Sequence, residues 1–255
     1  VKGARPRELV AAGRERRLGQ LRALRDEGIE VIPIESPRYP RALLDLSVPP
    51  VVIYLAGKVK QSDAKAIALV GTRTPSEQGW QTAERIARKA VSAGFCVVSG
   101  LARGIDTAAH RGALEAGGRT MAILGNGLGS VYPPENETLA ADIRRNGALL
   151  SELPPGVRVN RKALLARDRL QAAMSLAVIV VQAHTGCGSL TTAGYAKRCK
   201  RPLFCLRWEK TPFTIGLQRL RKIGAKEIGE EDVEEILERV MERDPALFGA
   251  ETVAR

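Results

Sequence analysis

Ala66-Ile67-Ala68-Leu69-Val70, followed at once by Gly71-Thr72-Arg73, is the stretch that decides the fold. Five consecutive apolar residues closed by a glycine read as a strand buried on both faces, not as the alternating pattern of a half-exposed one. Toward the C-terminus the pattern then alternates. A helical periodicity over about 76–93 leads to a second buried strand, Phe95-Cys96-Val97-Val98, which ends in Ser99-Gly100. Next come a helix over about 105–116, a strand over 120–124, a glycine-rich loop over 125–130, a helix over about 136–146 and the strand Ala148-Leu149-Leu150. A basic, irregular stretch separates these from the strand Ala177-Val178-Ile179-Val180-Val181, a helix over about 189–199 and a strand over 202–206. Buried strands alternating with helices predict an α/β fold with a largely parallel sheet and helices on both faces. In such sheets ligands bind beyond the carboxyl ends of the strands.

Toward the N-terminus, Leu9, Val10, Leu18, Leu21 and Leu24 among charges predict one or two short amphipathic helices within 5–27, and the four prolines between Ser36 and Pro50 mark a linker. At the far end, Val233, Ile236, Leu237 and Val240 lie among acidic residues and read as an amphipathic helix. The expected division is a short N-terminal helical segment (1–36), a main domain (37–238) and a C-terminal tail (239–255).

With 255 residues and 44% hydrophobic side chains, the chain can build a substantial core. Four cysteines without a C-x-x-C pair exclude a disulfide scaffold or a zinc ribbon, and two histidines exclude a histidine-rich metal site. No apolar run approaches the roughly 18 residues of a membrane span, so the expectation is a cytoplasmic protein with reduced thiols. The net charge of +12 is unevenly placed: residues 1–25 carry +6, 26–143 carry −1, 144–222 carry +13 and 223–255 carry −6. A regional surplus favours a polyanion-binding face.

Four strand ends offer matching chemistry. Gly71, Thr72 and Arg73 follow one strand; Ser99, Gly100, Arg103 and Gly104 follow the next, with the amides of the following helix expected to point outward. Gly125 and Gly127 sit in the third loop, and Gly188, Ser189 and Thr192 open a helix after the fourth. Glycine lets main-chain amides form an anion-binding concavity, and a helix N-terminus adds partial positive charge. A phosphate or phosphodiester ligand is the expectation.

No G-x-x-x-x-G-K-[ST] motif is present, and the loop over 125–130 misses the dinucleotide spacing. Paired carboxylates for metal-dependent nuclease chemistry are missing from the basic half. Asp106 and His110 stand at i and i+4, and the pair is expected to hydrogen-bond as a structural contact and not as a catalytic dyad. The residues thus describe a binding site without an evident reaction.

Taken together, Ile67 to Arg73, the string Ser99-Gly100-Leu101-Ala102-Arg103-Gly104-Ile105-Asp106-Thr107-Ala108-Ala109-His110, Tyr132-Pro133-Pro134-Glu135-Asn136, Ser151 to Gly156 and Gly188 to Ala193 resemble the DNA-processing protein A family (DprA, also called Smf). The resemblance runs over roughly 37–238. It implies an extended Rossmann-like domain that binds single-stranded DNA without catalysis or cofactor, forms homodimers, and loads a RecA-type recombinase during natural transformation. It matches Arg73 and Arg103 to the arginines of the family's basic pocket, Arg167 and Arg169 to those of its R-N-R-[IL] motif, and Ser189 and Thr192 to hydroxyls at the last helix start.

Several positions depart from the family pattern. Leu164-Leu165 stands for F-P and removes a stacking ring, Asp168 replaces an asparagine, Gln182 replaces a glutamate, and Leu206-Arg207-Trp208 replaces P-G. Relative to the family, the N-terminal helical domain is expected to be reduced to 1–35 and the C-terminal winged helix to be absent. Two rival readings stand beside this one. The first is a nucleotide sensor or enzyme on the related scaffold of cytokinin-activating phosphoribohydrolases, against which the sequence after Gly188-Ser189 lacks the P-G-G-x-G-T-x-x-E glutamate. The second is a partner scaffold that has lost DNA affinity.

Overall fold

The computed structural model describes Glu15, residues 18–208 and residues 213–243; Leu9, Val10 and the tail after residue 243 lie outside the described residues. The apolar runs form strands of a single sheet: β1 (Ile29–Pro33), β2 (Val52–Gly57), β3 (Ala66–Val70), β4 (Cys96–Ser99), β5 (Thr120–Ile123), β6 (Ala148–Ser151), β7 (Ala177–Val180), β8 (Leu203–Leu206) and β9 (Lys226–Ile228). Their order is β1-β2-β6-β5-β4-β3-β7-β8-β9. From β6 to β9 every pairing is parallel, with Ile67 opposite Val97 and Leu69 opposite Ile179. β1 and β2 add an antiparallel edge, in which Leu55 faces Leu150.

The helices are α1 (18–26), α2 (Glu77–Ser92), α3 (Ile105–Glu115), α4 (Glu137–Asn146), α5 (Arg161–Ala173), α6 (Gly188–Arg198), α7 (Thr214–Ile223) and α8 (Val233–Met241). Every residue of β3 is buried, and alternation sends its side chains to two different layers. Ile67 and Leu69 pack with Ile86 of α2, Ala109 of α3 and Ile236 of α8. Ala68 and Val70 pack with Ala172 of α5, Ala193 of α6 and Leu220 of α7. Helices on both faces explain why the strands carry no polar alternation.

The elements expected over 66–150 and 177–206 are present with shifts of a residue or two. The acidic C-terminal stretch folds as α8, burying Val233, Ile236, Leu237 and Val240. Two expectations need correction. The basic stretch between β6 and β7 is not irregular: it holds α5, which starts where the Asn160 side chain accepts from Ala163 N at 2.9 Å. The region around the Ser36–Pro50 linker contributes two strands, and the connection between them is anchored in the core by Tyr39 and Leu43. β1, which the sequence places with the N-terminal segment, pairs with β2 along its whole length.

Candidate functional site

β3 is followed by β4, β5 and β6 on one side and flanked by β7, β8 and β9 on the other, so the strand order reverses between β3 and β7. Loops diverge at such a point and leave a crevice beyond the carboxyl ends. Here it encloses about 650 Å³. Gly71, Thr72 and Arg73 form one wall, the segment from His184 to Ser189 with Thr192 forms the second, and α5 forms the third through Arg161, Leu164, Leu165, Arg167, Asp168 and Gln171. Tyr132 closes the rim.

The two loops are tied together. Thr72 N donates to Gln182 O at 2.7 Å, and Thr74 Oγ1 lies 3.3 Å from His184 Nε2. Gln182 fixes the start of α2, since its Oε1 accepts from Ser76 N (3.0 Å) and its Nε2 donates to Ser76 Oγ (2.9 Å). Trp208 donates from its indole nitrogen to Val181 O.

Arg167 lies behind the crevice surface, with a side chain 5% exposed. Its Nη1 donates to Ile123 O at 2.7 Å, and its Nε lies 3.3 Å from Asp168 Oδ1. In the orientation that satisfies both ends of its amide, Gln171 Oε1 accepts from Arg167 Nη1 (3.0 Å) and Gly100 N (2.8 Å). A Cβ on Gly100 would stand 1.6 Å from Arg167 Nη1, so the glycine makes room for the guanidinium. Two buried acids flank that charge. Burial raises the carboxyl of Asp106, against the pull of Arg167 and of the amides of Ala102 and Gly100. Burial also pushes Asp168 up to about 7; Arg167 opposes this, Asp106 adds to it, and Arg73 opposes it more weakly.

The amides of the 99–104 loop turn inward, contrary to the sequence expectation. Gly100 N and Ala102 N donate to Asp106 Oδ2, at 3.1 and 3.4 Å, and Ile105 N donates to Thr72 O at 3.1 Å. Ser99 is fully buried and donates to Leu69 O. Gly104 holds φ +75, with a Cβ position only 2.4 Å from Thr72 O. The i, i+4 bond expected between Asp106 and His110 does not form either: Asp106 caps that loop, while His110 Nδ1 meets Thr120 Oγ1 at 2.7 Å.

Of the residues singled out by sequence, the structure gathers Gly71, Thr72, Arg73, Arg167, Gly188, Ser189 and Thr192 around the crevice. Arg103 pairs with Glu135, and Arg169 pairs with Glu152; neither lines the crevice. Gly125 lies against Leu164 of α5 and Gly127 against Pro154. Sequence reasoning missed Arg161, Tyr132 and His184. His184 is paired with the Phe213 ring at a centroid distance of 4.6 Å, so rings are present although Leu164-Leu165 supplies none. Among the described residues no group of His, Cys, Asp and Glu is placed to hold a metal ion, and no helix is long and apolar enough to cross a membrane.

A doubly wound sheet with an arginine-lined crevice at its switch point defines a Rossmann-like protein. The chain belongs to the DNA recombination-mediator protein A family, the DprA/Smf proteins, whose family model matches residues 30–241. It is 35% identical over 226 residues to the DNA processing protein DprA of Bacillus subtilis, covering 88% of this chain and 75% of that one. It is 40% identical over 176 residues to protein Smf of Synechocystis, covering 68% of this chain and 44% of that one, so it spans less than half the length of that relative. The structure of DprA from Helicobacter pylori, described by its single-stranded DNA binding mode, superposes with a TM-score of 0.75 at 28% identity, covering 84% of this chain and 96% of that one.

Proposed function

We propose that this protein binds single-stranded DNA along the crevice as a non-catalytic carrier. The observation that carries the reading is the pair of exposed arginines, Arg73 and Arg161, on two different walls of the crevice at the switch point. They are suited to phosphates, with Thr72 and the first turn of α6 beside them, while Tyr132 and His184 offer faces for bases. Arg167 contributes field from behind the surface. Arg103 and Arg169 extend the positive charge along the flanks, each moderated by its acidic partner. The description of the Helicobacter relative supports the ligand class.

Phosphate contacts release counterions, so log affinity for an oligothymidine falls with log salt at a slope of about −0.7 per phosphate, or about −2 to −3.5 for three to five contacts. Fluorescence anisotropy across a salt series tests this, and a flat response overturns it. Tighter binding of a nucleoside diphosphate than of the oligonucleotide would favour a small-ligand sensor instead. We also propose that the protein works as a homodimer in the cytoplasm and passes DNA to a RecA-type recombinase. The family's description as a recombination mediator supports that role. Light scattering and co-precipitation with the recombinase on single-stranded DNA test it.

A further inference from the structure

We propose that Asp168 gates the crevice: its ionised carboxylate holds the place beside the first turn of α6 that a DNA phosphate needs, and its protonated form yields that place. The inference rests on the single-stranded DNA reading and adds a control to the same site. Asp168 is 4% exposed and lines the crevice, with Oδ2 3.3 Å from the Cβ position of Gly188 at the start of α6. The carboxylate therefore lies beside the first residue of α6, where a phosphate drawn to that helix start would meet its charge.

The surrounding groups set its balance. Arg167 and Gln171 face it from α5 itself, Asp106 from α3, Arg73 from the loop after β3, and His184 with Cys187 from the loop after β7. Burial and Asp106 favour the neutral acid, the two arginines favour the anion, and the midpoint falls at about 7. A phosphate brought alongside adds negative charge and favours the neutral acid further, so DNA binding takes up a proton. If only the protonated form accepts DNA, the competent fraction falls from about nine-tenths at pH 6 to about one-tenth at pH 8, and affinity falls about tenfold.

The test measures anisotropy of a labelled 20-residue oligothymidine at pH 6, 7 and 8 and constant ionic strength, with the full chain, Asp168→Asn and His184→Gln. The expected result is an approximately tenfold loss between pH 6 and 8 for the unaltered protein, the same tenfold ratio for His184→Gln from whatever starting affinity the loss of its ring leaves, and flat, tight binding for Asp168→Asn. Equal pH slopes with and without Asp168, or loss of the slope in His184→Gln, overturn the gate and leave the DNA reading standing. Absence of binding by every form at pH 6 overturns both. Calorimetry of the unaltered protein at pH 8, in buffers of different ionisation enthalpy, needs no variant: uptake of close to one proton is expected, and no uptake refutes the gate.

Discussion

His110 makes the stability of this protein sensitive to mild acid. Thr120 Oγ1 donates to Val97 O at 2.7 Å, so its remaining contact with His110 Nδ1, also at 2.7 Å, assigns the proton to Nδ1 and leaves Nε2 bare. Nε2 is buried without a partner among the described residues. Protonation would bury an N–H with no acceptor, close to the charge of Arg167. Burial first, and that charge second, accordingly lower His110 from 6.5 to about 3. The folded state thus refuses a proton that the unfolded chain accepts. The stability tied to His110 is complete above pH 6.5 and is lost as pH falls from there toward 3, at about 1.4 kcal/mol per unit. Between pH 7 and pH 5 this amounts to about 2 kcal/mol. Urea unfolding of the unaltered protein and of His110→Gln at both pH values isolates the effect, because contributions from Asp106, Glu152 and Asp168 are common to both. The unaltered protein should lose about 2 kcal/mol more than the variant. Equal losses would mean that His110 is hydrated or charged in the fold, and would refute the assignment.

Other substitutions probe separate parts of the structure. Arg73→Ala should weaken oligothymidine binding at every pH and make the salt slope shallower by about 0.7, read from anisotropy; an unchanged slope would remove Arg73 from the phosphate contacts. Gly127→Ala places a Cβ 1.9 Å from Pro154 O, a backbone atom with little room to retreat, and should cost about 1–3 kcal/mol in chemical denaturation. Asp63 is 2% exposed and grips Arg119 through Oδ1 (2.6 Å) and Oδ2 (2.7 Å), so Asp63→Ala should cost about 2 kcal/mol with DNA affinity unaltered. A melting temperature equal to that of the unaltered protein would refute that weight.

Strands β3 to β8 were legible because a strand covered on both faces has to be apolar throughout. The same logic hid α5. Its inner face buries Arg167, Asp168 and Gln171 along with Leu170, so no clean apolar stripe marks it. The residues that shape the crevice are those that erase the helix from the hydrophobic pattern. β1 escaped because Glu30 and Pro33 interrupt its apolar pattern, whereas β2 carries a run, Val51 to Ala56 closed by Gly57, that is as apolar as those of the parallel strands and was passed over beside the proline-rich connection. The glycines at the strand ends were visible, but their use was not. Gly100 and Gly127 serve close packing within the protein, a distinction that depends on what Arg167 and Pro154 bring near them. Tyr132 and His184 come from separate loops and line the same crevice only in three dimensions.

The connection from β6 to β7 strides over β5, β4 and β3, and α5 is the span of that bridge. Its outer footing is the segment that precedes β2. Leu43 shares a buried cluster with Leu170 and Ala173, and Arg201 ties Asp45 (2.7 Å) to the last turn of α5 through Ala173 O (3.3 Å). One wall of the crevice is therefore propped from outside the parallel sheet, much as a buttress carries an arch. An insertion between Tyr39 and Pro50 should tilt that wall and so change the proposed affinity for DNA, although no residue of the segment lines the crevice.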